Sequence, residues 1–85
     1  MIVRDKPLFR TLARLPRPLL AAALQTIEAI ERDYPNLPGP NDVTFLAPPA
    51  APRWRRRVGA SPWWVVYTFS AASQTLILRT VNDLG

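Results

Sequence analysis

Four arginines fill five consecutive positions, Arg53, Arg55, Arg56 and Arg57, with Trp54 among them. In an extended strand successive side chains alternate faces, so Arg53, Arg55 and Arg57 should line one side at a spacing of roughly 6.6 Å. Such a row suits a phosphate backbone, held through counterion release and charge-assisted, often bidentate, hydrogen bonds. The same row could be a solvated edge strand whose charge discourages edge-to-edge pairing, or a counterpart to an acidic partner segment. Four arginines in five positions exceed what edge protection needs, so Arg53, Arg55, Arg56 and Arg57 are candidate nucleic-acid contacts. Arg79, the one cation of the last apolar stretch, is a candidate to join them or a half-exposed strand residue. Were a bound phosphate under attack, the charges of this row would stabilise the negative charge that develops.

A proton acceptor is harder to find. The sequence contains neither histidine nor cysteine, which excludes Ser-His-Asp, Cys-His and paired-histidine mechanisms, disulfides and thiolate metal sites. No metal and no cofactor is expected. Tyr67 could shuttle a proton only if nearby arginines lowered its pKa; a mid-strand aromatic more often packs across strands. Glu28, Glu31 and Asp33 cluster at the end of a helical pattern and read as surface charge satisfied by Arg32 and solvent. Carboxylates there oppose the helix dipole by a few tenths of a kcal/mol. Trp54, Trp63 and Trp64 could stack on unpaired bases or meet a partner. Trp63 and Trp64 are adjacent and must point to opposite faces of a strand, so at most one of them enters the core. Trp54 and Trp64 are the candidates for stacking or for an interface.

The 85 residues, 48% of them hydrophobic, can enclose one small core, and residues 1–85 are expected to form one domain. Eleven Lys and Arg against six Asp and Glu give a net charge of +5, nearly all of it arginine, which implies a polyanionic or acidic partner. Leu19 to Leu24 is too short to span a bilayer, and Met1 to Lys6 lacks the apolar stretch of a signal peptide. A cytoplasmic protein with no membrane contact is expected.

The elements that must position the arginines follow from the apolar period. Leu8, Phe9, Leu12 and Leu15 predict a short helix over 6–15, interrupted by Pro16 and Pro18. Leu20, Ala23, Leu24, Ile27 and Ile30 predict a second helix from Pro18 to Asp33, so the two form a hairpin. From Pro35 to Pro52, six prolines and Gly39 predict a long loop, broken at most by a brief extended Val43-Thr44-Phe45-Leu46. The period then changes to that of strands over Arg53–Val58, Trp63–Phe69 and Thr75–Val81, joined by short links. The expected fold class is α+β: an N-terminal helical hairpin packed on a small twisted antiparallel sheet of three to four strands.

Trp54-Arg55-Arg56-Arg57-Val58, a short turn, Trp63-Trp64-Val65-Val66-Tyr67 and then Leu76-Ile77-Leu78 resemble the RelE/ParE toxin superfamily. Ahead of this pattern the family shows a helical hairpin whose first helix ends in leucine-proline, as Leu15-Pro16 does here. The resemblance spans nearly the whole chain. It implies two helices against a twisted antiparallel sheet and the toxin role of a type II toxin–antitoxin pair, neutralised by a cognate acidic antitoxin. One branch of the family cleaves messenger RNA on the ribosome and another poisons DNA gyrase; a non-catalytic RNA- or protein-binding module with the same fold is the remaining alternative. Arg55 and Arg57 match the two basic residues that the ribonuclease branch places on one strand. Trp64 stands where many members carry arginine, and Asn82-Asp83-Leu84-Gly85 replace the family's basic residues and terminal aromatic or histidine.

Overall fold

The computed structural model describes residues 1–46 and 52–83. Two helices, α1 (Lys6–Leu12) and α2 (Arg17–Asp33), cover one face of a five-stranded sheet. The strands are β1 (Ile2–Arg4), β2 (Val43–Leu46), β3 (Arg53–Arg57), β4 (Trp63–Ser70) and β5 (Thr75–Asp83). They lie in the order β1-β5-β4-β3-β2.

The expected meander of three strands is present: β3 pairs with β4 and β4 with β5, both antiparallel. Two features differ from expectation. Val43–Leu46 is a full strand, antiparallel to β3, so the proline-rich stretch contributes an edge to the sheet. Ile2–Arg4 adds β1 at the other edge, parallel to β5, and the sheet is therefore mixed rather than antiparallel. Three residues are too few to display a period, which is why β1 escaped the reading of the sequence. Pro48-Pro49, expected to be irregular, lie outside the described residues.

Asp5 turns β1 into α1. Its N–H donates to the Leu78 carbonyl at 3.0 Å, continuing the strand pairing, and its side chain accepts from the Lys6 N–H at 3.0 Å as the helix cap. Pro7 occupies the first turn, where its missing N–H costs nothing. The helix stops at Leu12, three residues earlier than predicted. Arg14 and Leu15 bond back to Thr11 and Leu12 in a tighter turn, because Pro16 biases its predecessor away from helical backbone.

The core is built from Leu8, Leu12 and Leu15, from Ala23, Ile27 and Ile30 on α2, and from the inward residues of β4 and β5. Those inward residues are Val65 and Tyr67 on β4, and Leu76, Leu78 and Val81 on β5. The last three do not keep strict alternation. The register shifts between Val66↔Thr80 and Tyr67↔Leu78, so Arg79 is an extra residue on β5 and Val81 returns to the inner face. At that point the Val81 N–H has left strand pairing on the α1 side and donates to Thr11 Oγ1 at 3.1 Å. Among the described residues no helix is long and apolar enough to cross a membrane.

Replacing Thr11 with Val keeps the shape and leaves the Val81 N–H without its acceptor. The substitution should cost about 1–3 kcal/mol in urea unfolding, the usual penalty for an unsatisfied partly buried donor; a cost near zero would mean that the stitch between α1 and β5 contributes nothing.

Candidate functional site

Strand alternation separates the arginines of β3 into two sets. Arg57 is opposite Trp64 and Arg55 opposite Val66, and these continue across the sheet to Asn82 and Thr80. These residues lie on the outer face, away from the helices, and Arg53, two positions before Arg55, shares it. The Arg55 guanidinium carbon is 4.3 Å from the centre of the Trp64 ring and that of Arg57 is 5.2 Å away. Both distances are within cation–π range, about 0.5–1 kcal/mol each at a partly exposed site. The ring draws two like charges together on an open surface. Beside them Val66 is 1% exposed although it is absent from the helix-side core. Among the described residues, Arg55 Nε is the one buried side-chain polar atom with no hydrogen-bond partner.

Trp54 and Arg56 point the other way. Trp54, a candidate for base stacking, is stacked inside the protein on Tyr67, with ring centres 6.1 Å apart and planes 28° from parallel. Arg56, expected among the nucleic-acid contacts, is tied to two carboxylates. Its Nε and Nη2 donate to Asp42 at 2.6 and 2.9 Å, and Nη1 is 2.9 Å from Asp33. The Asp42 side chain is fully buried, and its carboxylate also accepts from the Gly39 N–H at 2.8 Å and from the Tyr67 hydroxyl. Burial alone would raise the Asp42 pKa, but hydrogen bonds from Arg56, Tyr67 and Gly39 together hold it below the usual carboxylate value. A Cβ at Gly39 would sit 2.7 Å from Arg56 Nη2 and 3.2 Å from Asp42 Oδ2, so any side chain there would displace this ion pair.

Tyr67 is therefore no proton acceptor. It is fully buried, and both that burial and its hydrogen bond to ionised Asp42 push its pKa up, the opposite of what a shuttle near neutrality needs. The residues that flank Arg55 and Arg57 in register, Trp64, Val66, Thr80 and Asn82, carry no group that titrates near neutral pH. Among the described residues in register with Arg55 and Arg57, the outer face offers groups that hold and stabilise negative charge.

The other sequence candidates are dispersed. Arg79, at the β5 bulge, is separated from β3 by β4 and lies 3.3 Å from Asp5. Trp63 packs against the core while Trp64 does not, as their adjacency requires. Glu31 and Asp33 pair with Arg4 and Arg56 rather than with Arg32, the Glu31–Arg4 pair being bidentate at 2.8 and 2.9 Å. Among the described residues no group of three or more potential ligands could hold a metal ion. Asn82 and Asp83 end β5, and Leu84-Gly85 lie outside the described residues.

Asp42 was missed by the reading of the sequence, although a signal existed. Alternation alone puts Arg56 on the inner face, and an inward arginine demands a buried carboxylate nearby. A cleft of about 580 Å³ opens where the network reaches the surface, lined by Asp33, Pro40, Asn41, Asp42, Arg56, Arg57 and Trp64.

Two outcomes follow for this network. Asp42, with a folded pKa below its unfolded one, contributes stability that is complete above about pH 4 and is lost as pH falls toward the folded value. Asp42→Asn should lower stability at neutral pH by about 3–5 kcal/mol and flatten the acid limb of a pH–stability curve relative to the unaltered protein. Tyr67→Phe should cost about 1.5–3 kcal/mol in urea unfolding and leave anion binding at the outer face intact; weakened binding at full folding would return Tyr67 to the site.

No protein-family model matches the chain, and no curated protein matches it. Solved structures do. A chain of the RelE–RelB complex from Pyrococcus horikoshii superposes with a TM-score of 0.70 at 16% identity, over 99% of this chain and 93% of that one. A chain of the toxin–antitoxin complex RelBE2 from Mycobacterium tuberculosis gives 0.69 at 16% identity, covering 96% and 94%. The YoeB/ParE toxin from Agrobacterium tumefaciens gives 0.65 at 18% identity, covering 95% and 94%. At these identities the agreement is one of fold, and the fold is that of the RelE/ParE toxins.

Proposed function

We propose that this RelE/ParE-type fold serves as the toxin of a toxin–antitoxin pair, and that the toxin grips RNA on the outer face of the sheet through Arg53, Arg55 and Arg57. The observation that carries this reading is the pair of guanidinium groups gathered over Trp64. A phosphate neutralises these like charges, in the planar two-point geometry that arginine favours. The solved toxin–antitoxin complexes of the same fold support an antitoxin partner, and the +5 net charge supports an acidic one. If the bound RNA is cleaved, the 2′-hydroxyl attacks the adjacent phosphorus and gives its proton to solvent or to a group supplied by the ribosome. The bond to the 5′-oxygen of the next nucleotide breaks, that oxygen takes a proton from solvent, and a 2′,3′-cyclic phosphate is left. Arg55 and Arg57 stabilise the phosphorane-like charge.

A second reading has one observation in its favour. Tyr67 is sealed against Asp42 and the flanking residues of the outer face lack a titratable group, which suits a target that is bound and blocked rather than cut. DNA gyrase is such a target. On this reading the same arginines meet an acidic protein surface or DNA.

Induced expression in a bacterial host separates these cases when growth, full-length messenger and plasmid supercoiling are followed together, for the unaltered chain and for Arg55→Ala with Arg57→Ala. Growth arrest with messenger cleavage, at least tenfold weaker in the double variant, is the expected result. Arrest with intact messenger and altered supercoiling moves the target to gyrase. A folded double variant that arrests growth as strongly as the parent removes the outer face from the function altogether.

A further inference from the structure

The outer face accounts for only part of the unpaired positive charge. Between Asp5 and Glu28 the chain carries Lys6, Arg10, Arg14 and Arg17 and no carboxylate. All four are exposed, and none forms an ion pair among the described residues. Their placement is unfavourable to the protein itself. Lys6 and Arg10 are four apart on α1, where like charges repel, and Arg17 opens α2, whose first turn has no acidic residue and no side-chain cap to offset its dipole.

Four of the six carboxylates are engaged elsewhere. Asp5 pairs with Arg79, Glu31 with Arg4, and Asp33 and Asp42 with Arg56, at joints within the sheet or between sheet and helix. Positive charge is thereby left on two surfaces, one on β3 and one at the bend between α1 and α2. Leu8, Leu12 and Leu15 turn inward from that bend to the helix-side core, so its cations face away from the sheet, on the side opposite Arg55 and Arg57.

We infer that the exposed face of α1 and the start of α2, carrying Lys6, Arg10, Arg14 and Arg17, is a second phosphate-backbone site, and that the protein grips two separate backbone segments of one folded RNA. The inference rests on the preceding reading in taking RNA as the polymer. Its composition favours nucleic acid over a protein partner: protein interfaces are depleted of charge at their centre, whereas here Phe9, 54% exposed, is the one large exposed apolar side chain among four cations in the described residues. Three of the four are arginine, which binds phosphate in two-point fashion.

The test uses the full chain and Arg10→Gln, Arg14→Gln, Arg17→Gln combined, with Arg55→Ala, Arg57→Ala as the comparison. The probes are an RNA hairpin of about 20 base pairs carrying a single-stranded tail, and the tail alone. For the triple variant, affinity for the hairpin should fall about tenfold near physiological salt, and the slope of log K against log salt should shrink by about 2, since each lost phosphate contact removes about 0.7–0.9. Binding of the tail alone should be unchanged. Unaltered hairpin affinity and slope, with the sheet-face variant impaired, would overturn the second site and leave the proposed function standing. Unaltered RNA binding with loss of affinity for a poly-glutamate peptide would overturn it in favour of an acidic protein. If neither variant changes RNA binding, the proposed function fails together with this inference.

Discussion

The ionised carboxylate of Asp42, buried against Arg56, is the constraint around which the rest of the site is arranged. A charge without water needs its full complement of donors, and Asp42 draws them from Arg56 on β3, Tyr67 on β4 and Gly39 in the turn before β2. Those bonds bring a proline-rich connection down onto the sheet edge and reach α2 through Arg56 and Asp33. Arg56 is consumed inside the protein, and strand alternation then leaves Arg53, Arg55 and Arg57 together on the other side. The presentation of the outer arginines and the satisfaction of the inner one have one cause, the two-residue period of β3.

This arrangement also decides what Tyr67 is. An aromatic on an apolar strand next to a basic one could in principle face a reacting phosphate. Here its ring is stacked under Trp54 and its hydroxyl is held by a carboxylate, so it serves packing and hydrogen bonding. The outer face is left with cations, an indole and neutral polar groups, a surface for holding negative charge.

The sequence made legible those features that repeat over enough residues to show a period. Both helices, the β3–β4–β5 meander, the opposite orientations of Trp63 and Trp64 and the shared face of Arg53, Arg55 and Arg57 follow from spacing alone. What stayed hidden depends on contacts distant in the chain. Ile2–Arg4 is a strand because β5 lies beside it, and Val43–Leu46, legible in the sequence only as a brief extended stretch, is a sheet strand because β3 does the same for it. Asp42 lay in a stretch that composition marks as loop, and its importance rests on a partner fourteen residues away. Trp54 and Arg56 were grouped with the binding residues because they adjoin them in sequence, although alternation already assigned them to the other face.

The parallel pairing of β1 with β5 has a consequence for the order of events during synthesis. Residues 2–4 must wait for residues 76–78 before their edge of the sheet exists, and Asp5, which starts α1, is bonded to Leu78. On a ribosome residues 2–4 are thus made well before the strand they pair with, and the helical hairpin remains without most of its apolar floor until β5 has left the exit tunnel. Contacts of such long sequence separation are slow to close. The helical layer and its edge of the sheet therefore close together, once residues 76–78 are free to meet residues 2–4.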